Sequence, residues 1–118
     1  MNSNRKGKVG EREFAGFLRD QGFDSSRGRQ FSGSQDSPDV RSSIPFHIEV
    51  KRTEVLRLRD AVAQAEGDSG ARPWIVAHRW NGGQWLVTLK AEEFCNLVRV
   101  GGETKCARND PERSNVNQ

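Results

Sequence analysis

Phe46-His47-Ile48-Glu49-Val50-Lys51 alternates apolar Phe46, Ile48 and Val50 with polar His47, Glu49 and Lys51. Successive side chains of a strand point to opposite faces, so the alternation predicts a strand with one apolar and one charged face. Glu49 and Lys51 then share a face, roughly 6.5–7 Å apart. Upstream, Asp39-Val40-Arg41 reads as a preceding strand, and a tight turn through Ser43-Ile44-Pro45 sets Asp39 directly opposite Glu49. Like charges facing across a ladder destabilise it unless a proton or a cation sits between them. A divalent metal meets that requirement. Mg²⁺ takes one or two carboxylates and fills its remaining octahedral positions with water and substrate phosphate. Lys51 on the same face is then placed to hold, or help deprotonate, an attacking water.

Glu-x-Lys alone carries little information, arising about 0.4 times by chance in a chain of this length. Its setting adds weight: it lies in an alternating strand, follows Pro38-Asp39 at hairpin distance, and has a further acid, Glu11, upstream. The competing reading is a solvated strand face with an ordinary Glu/Lys pair.

With 118 residues the chain predicts one domain, large enough to bury a little under about 70% of its unfolded surface. A mean hydropathy of −0.83 is polar for a globular domain, and much of that polarity falls at the ends. The net charge of +3 comes from the first half, where residues 1–60 hold twelve Lys/Arg against nine Asp/Glu. Once a cation offsets Glu11, Asp39 and Glu49, the face becomes more positive, as a surface for a polyanion requires. A merely soluble basic protein is the plainer reading of the same balance. Cys95 and Cys106 are too few and too separated for a zinc site and read as free thiols. The basic N-terminus is not followed by an apolar signal segment, and no apolar run approaches the roughly 18 residues of a membrane span. The expected location is cytoplasmic, with no membrane partner.

Residues 1–5 read as a frayed arm, and Lys6–Gln21 as a helix ended by Gly22, with Phe14, Phe17 and Leu18 as its apolar side and Val9 near its start. Glu11 shares that stripe with Phe14, Ala15 and Leu18. It either has a partner or a task there, or remains wet in the first turns, where a carboxylate suits the helix dipole. Residues 23–30 predict a first strand with Arg27 and Arg29 on one face, a pair suited to phosphate contacts. Residues 31–37 form a Gly/Ser-rich loop beside the site. From Thr53, a plausible N-cap, Leu58, Ala61, Val62 and Ala65 recur at helical spacing. Gln64 at the edge of that stripe faces either solvent or the end of the charged strand. Residues 67–73 read as a loop, 74–79 and 84–89 as strands joined through Asn81-Gly82-Gly83, and 91–98 as a last helix with Phe94, Leu97 and Val98 as its apolar side. The expected folded domain is 1–99, and residues 100–118 read as a polar, disordered tail.

Lys6-Gly7-Lys8-Val9-Gly10-Glu11-Arg12-Glu13-Phe14, Phe31-Ser32-Gly33-Ser34, Pro38-Asp39-Val40, Ile48-Glu49-Val50-Lys51 and Gln64-Ala65 resemble the PD-(D/E)xK nuclease superfamily. Within it, the archaeal-type Holliday junction resolvases and their bacteriophage relatives are the most similar, over roughly residues 5–98. The resemblance implies an α/β fold with a restriction-endonuclease-like αβββαβ core, a mixed central sheet flanked by helices. It also implies a metal-dependent phosphodiesterase acting as a homodimer on branched DNA. Glu11 matches the first-helix acid, Asp39 and Glu49 the metal-binding acids, Lys51 the catalytic lysine and Gln64 a helix glutamine near the site. Ser32 or Ser34 matches the loop serine.

The expected function is therefore a Mg²⁺-dependent DNA endonuclease, with Mn²⁺ as substitute, favouring four-way junctions. Metal falls to Asp39, Glu49 and Glu11. DNA contacts fall to Lys6, Lys8, Arg27, Arg29, Ser32, Ser34 and Arg52, which suit backbone more than bases. Two alternatives stand beside it: a phage-type nuclease on duplex, nicked or flapped DNA, and a non-catalytic nucleic-acid-binding module of the same fold. A pure binder has little reason to keep facing carboxylates near phosphates.

Overall fold

The computed structural model describes residues 3–28 and 39–102, with the backbone alone for residues 3–6. Within them the chain is an α/β fold: α1 (Ser3–Asp20), β1 (Ser25–Arg27), β2 (Val40–Ser42), β3 (His47–Arg52), α2 (Leu58–Ser69), β4 (Trp74–Arg79), β5 (Leu86–Thr88) and a last helix, α3, at 91–102. The five strands form one sheet in sequence order. β3 and β4 pair in parallel, and the other neighbours are antiparallel. A parallel pair needs a crossover, which α2 provides.

α1 buries Phe14, Ala15 and Leu18 and ends on Gly22, whose φ of 99° is a left-handed conformation that glycine adopts without a Cβ clash. Gly22 N–H donates to Arg19 O (3.0 Å) and Phe23 N–H to Leu18 O (2.9 Å), the two bonds of a Schellman ending. The apolar stripe of α1 packs on Val40, Ile48, Val50, Ile75 and Ala77, from one face of the sheet. Ala61 and Ala65 of α2 cover Trp74 and Val76 on the other. In the parallel register His47 pairs with Trp74, Glu49 with Val76 and Lys51 with His78, so the charged set of β3 lies on the α2 side.

That face of β3 is not a solvated one where it begins: His47 is 0% and Glu49 1% exposed. Several local expectations also change. The first helix already includes residues 3–5, where an arm was expected. Thr53 does not cap α2; its N–H donates to Arg79 O and its hydroxyl to Val55 O, so it prolongs the strand alignment, and the helix starts after Arg57. α2 runs through 67–69, read as loop, and stops only at Gly70 with φ 64°. The first strand shortens to three residues and the last to Leu86–Thr88. α3 continues past the expected boundary at Arg99 to 102, and its Phe94, Leu97 and Val98 are exposed. Residues 103–118, with the expected tail, lie outside the described residues. Among the described residues no helix is long and apolar enough to cross a membrane.

α1 approaches the sheet most closely at Gly10, where an added Cβ would stand 2.7 Å from the Arg52 Cβ and 3.5 Å from Val50 Cγ1. Gly7, one turn earlier, has nothing within 4 Å of that position. Gly10→Val is therefore expected to cost about 1–3 kcal/mol through overpacking, whereas Gly7→Ala gains about 0.5–1 kcal/mol from helix propensity. Urea unfolding of both variants checks the contrast; equal effects would mean that α1 does not seat on β3 at Gly10.

Candidate metal and phosphate site

β2 delivers Asp39 to β3. Asp39 N–H donates to Ile48 O (2.9 Å), and Val40 pairs with Ile48, so the register carried one residue back sets Asp39 opposite Glu49. Asp39 Oδ2 accepts the Val50 N–H at 2.8 Å, which fixes the carboxyl group against the strand. Asp39 is 8% exposed. Burial first, and then the charge of Glu49, pushes its pKa from 3.8 up to about 7; the Val50 N–H opposes the shift, Glu11 adds to it and Lys51 offsets part of it. Two acids this close share one proton or one cation between them.

Lys51 Nζ donates to Gln64 Oε1 at 2.7 Å. Of the two directions open to Gln64, the structure takes the one toward the strand. Thr53, Val55, Leu56, Arg57 and Asp60 join this pair around an open cavity of about 310 Å³. Glu11 sits where its charge reaches Asp39, and its Oε1 accepts from Arg27 Nε at 2.9 Å. Arg27, expected on phosphate, is thus held at the edge of the acid cluster by an ion pair.

Arg52 points the other way. The strand alternation sends it to the α1 side, where Nε donates to Glu13 Oε1 (3.0 Å) and a terminal nitrogen to Asn81 Oδ1 (2.9 Å). It is part of a packing network and is not brought to the site. Lys8 is exposed on α1. The side chain of Lys6, and Arg29, Ser32 and Ser34 entirely, lie outside the described residues.

Two residues of this face were not singled out from sequence. His47 Nε2 lies 2.6 Å from Glu49 Oε2, both side chains being buried. Asp68, in the last turn of α2, reaches the same place: ligating atoms of His47, Glu49 and Asp68 all lie within 4.8 Å of one another. Among the described residues, His47 Nδ1 and Glu49 Oε1 are buried without a hydrogen-bond partner. A signal existed for both, since His47 is two residues before Glu49 on the same strand face and Asp68 is four after Gln64 on the same helix stripe. His78, paired with Lys51 across the sheet, contacts Thr88 Oγ1 at 3.0 Å, and burial lowers its pKa. Compared with protein-family models, curated proteins and solved structures, the chain gives no match.

The Asp39 shift has a definite sign. Between pH 3.8 and about 7 the folded state keeps a proton that the unfolded state has lost, so this group's contribution to stability falls as pH rises through that window. A shift of this size corresponds to roughly 4 kcal/mol. Asp39→Asn removes the charge while keeping an acceptor for Val50 N–H. In EDTA the variant should be more stable than wild type at pH 8, with a flatter profile from pH 4 to 8. Melting curves across that range test it, and an unchanged slope would place the proton elsewhere.

Proposed function

We propose that the chain is a metal-dependent DNA endonuclease with a restriction-endonuclease-like core, favouring four-way junctions and acting as a homodimer. The observation that carries the reading is Asp39 held beside Glu49 on neighbouring strands, both buried, with Lys51 next along the same face. The order α1-β1-β2-β3-α2-β4 agrees with an αβββαβ core. A buried carboxylate oxygen without a partner among the described residues, Glu49 Oε1, beside a second acid fits a divalent cation, which would be held by Asp39 and Glu49, with Glu11 adding negative charge nearby. Bound Mg²⁺, or Mn²⁺ in its place, supplies charge neutralisation at the phosphate and a nucleophile at neutral pH.

The chain's own residues do the rest. Val50 N–H fixes the orientation of Asp39, and Gln64 fixes that of Lys51, so neither group has to be ordered when DNA arrives. The Lys51 ammonium can orient a water and stabilise charge gathering on the phosphoryl oxygens. In hydrolysis the water oxygen bonds to phosphorus, the P–O bond to the leaving strand breaks, and the departing oxygen takes a proton. Lys8, exposed on α1, offers a contact to backbone rather than to base edges, so substrate choice would rest on geometry. Two sites related by a two-fold axis meet two strands at once only on a branched molecule.

Glu49→Gln and Lys51→Ala should each reduce cleavage about 10²–10⁴-fold while leaving DNA binding intact. Lys51→Arg should fail to restore it, because the planar guanidinium does not give up a proton and sits differently. Cleavage is followed with Mg²⁺ on an end-labelled four-way junction and a matched duplex at one salt concentration, with solution mass measured alongside. Paired symmetric nicks by a dimer support junction resolution. Equal cutting of both substrates by a monomer would transfer the reading to a general duplex or flap nuclease, and wild-type binding without cutting, to a non-catalytic module.

A further inference from the structure

We infer that His47, Glu49 and Asp68 form a second cation site, for a divalent transition ion such as Zn²⁺, beside the Asp39–Glu49 pair. The inference shares Glu49 with the proposed nuclease centre but does not rest on it, since it concerns metal uptake and not DNA cleavage.

Two regular elements bring the three residues together. α2 ends at Ser69 and β4 starts at Trp74, beside His47, and His47 N–H donates to Pro73 O at 2.8 Å. The short return from α2 thus anchors the last helical turn over the start of β3. Asp68 and His47 are brought together by two regular elements, and the three ligating atoms fall within 4.8 Å of one another.

Two of their buried polar atoms are also unsatisfied among the described residues. The His47 and Glu49 side chains are 0% and 1% exposed, and they meet through one atom each, Nε2 and Oε2. The remaining polar atom of each, Nδ1 and Oε1, is buried with no partner among the described residues. A hydrogen-bonded histidine–glutamate pair serving structure alone would leave two buried polar atoms unsatisfied, which folded proteins seldom tolerate. A cation accepts electron pairs from both kinds of atom.

The electrostatics at the end of α2 also favour a cation. The C-terminal end of a helix carries partial negative charge and favours a cation. The last turn of α2 contains Asp68 and no basic residue. Asp68 is only partly buried, which gives an ion a side from which to enter.

The donor set names the class of ion. Mg²⁺ prefers oxygen ligands and keeps much of its water, whereas one imidazole with two carboxylates suits Zn²⁺, Mn²⁺ or Fe²⁺. A carboxylate that serves two cation positions is compatible with two-metal centres. The two positions then separate by ligand type: oxygen ligands at Asp39 and Glu49, and an added nitrogen at His47.

The test titrates Zn²⁺ into the metal-stripped full chain in excess Mg²⁺, by calorimetry, and repeats it with Co²⁺ by visible absorption. Wild type should take one Zn²⁺ per chain. Asp68→Asn and His47→Gln should each weaken uptake at least tenfold and remove the Co²⁺ bands, while Glu92→Gln, exposed on α3, stays within about threefold of wild type. Circular dichroism checks folding; Asp68→Asn, at a half-exposed helix end, decides the matter if the buried His47→Gln does not fold. No Zn²⁺ uptake by folded wild type, uptake unchanged in Asp68→Asn, or equal loss in Glu92→Gln would each overturn the site. Zn²⁺ uptake without any DNA cleavage would reject the nuclease reading and leave this site standing, and cleavage without uptake would do the reverse.

Discussion

A carboxylate buried in the middle of a sheet constrains everything around it. Glu49 is 1% exposed on a strand covered by helices on both faces, and an isolated buried charge is costly enough that proteins pair or neutralise it. The neighbours supply that compensation in part: His47 meets one oxygen, Asp39 stands on the adjoining strand with its carboxyl group pushed up to about 7, and Lys51 follows along the same face. The opposite face of the strand is wholly apolar at Ile48 and Val50, packed on Phe14 and Leu18. The α1 side therefore stabilises a strand whose α2 side is strained by charge, and this division of labour lets one six-residue strand serve both core and site.

The central part of this arrangement was legible in sequence because it depends on period and register alone. Alternation from Phe46 to Lys51 assigned the faces, and hairpin spacing placed Asp39 opposite Glu49. Helical spacing put Gln64 at the edge of the α2 stripe, although only packing chose between solvent and Lys51. The ending of α1 at Gly22 followed from local chemistry and needs no tertiary contact.

What was not legible depends on tertiary packing. Gly67-Asp68-Ser69-Gly70 has the composition of a loop, yet α2 continues through it to Ser69, and so Asp68 was read as part of a connection. His47 has the right period, but a lone histidine does not announce burial; the cover of α2 over β3 does. Arg52 carries the same charge as Lys51 and lies one residue away, and the strand alternation alone sends it to Glu13 and Asn81. Phe94, Leu97 and Val98 fall on one side of α3, as their spacing implied, but lie exposed among the described residues.

The bond from Val50 N–H to Asp39 Oδ2 has a spectroscopic meaning. Most amide protons of a sheet point at carbonyl oxygens, whose charge does not change. Val50 points at an oxygen of the Asp39 carboxyl group, whose pKa burial and Glu49 push up to about 7, and which any cation bound by Asp39 would polarise. The Val50 ¹H–¹⁵N resonance is thus a built-in reporter of the ionic state of the site, readable in the absence of DNA and of turnover.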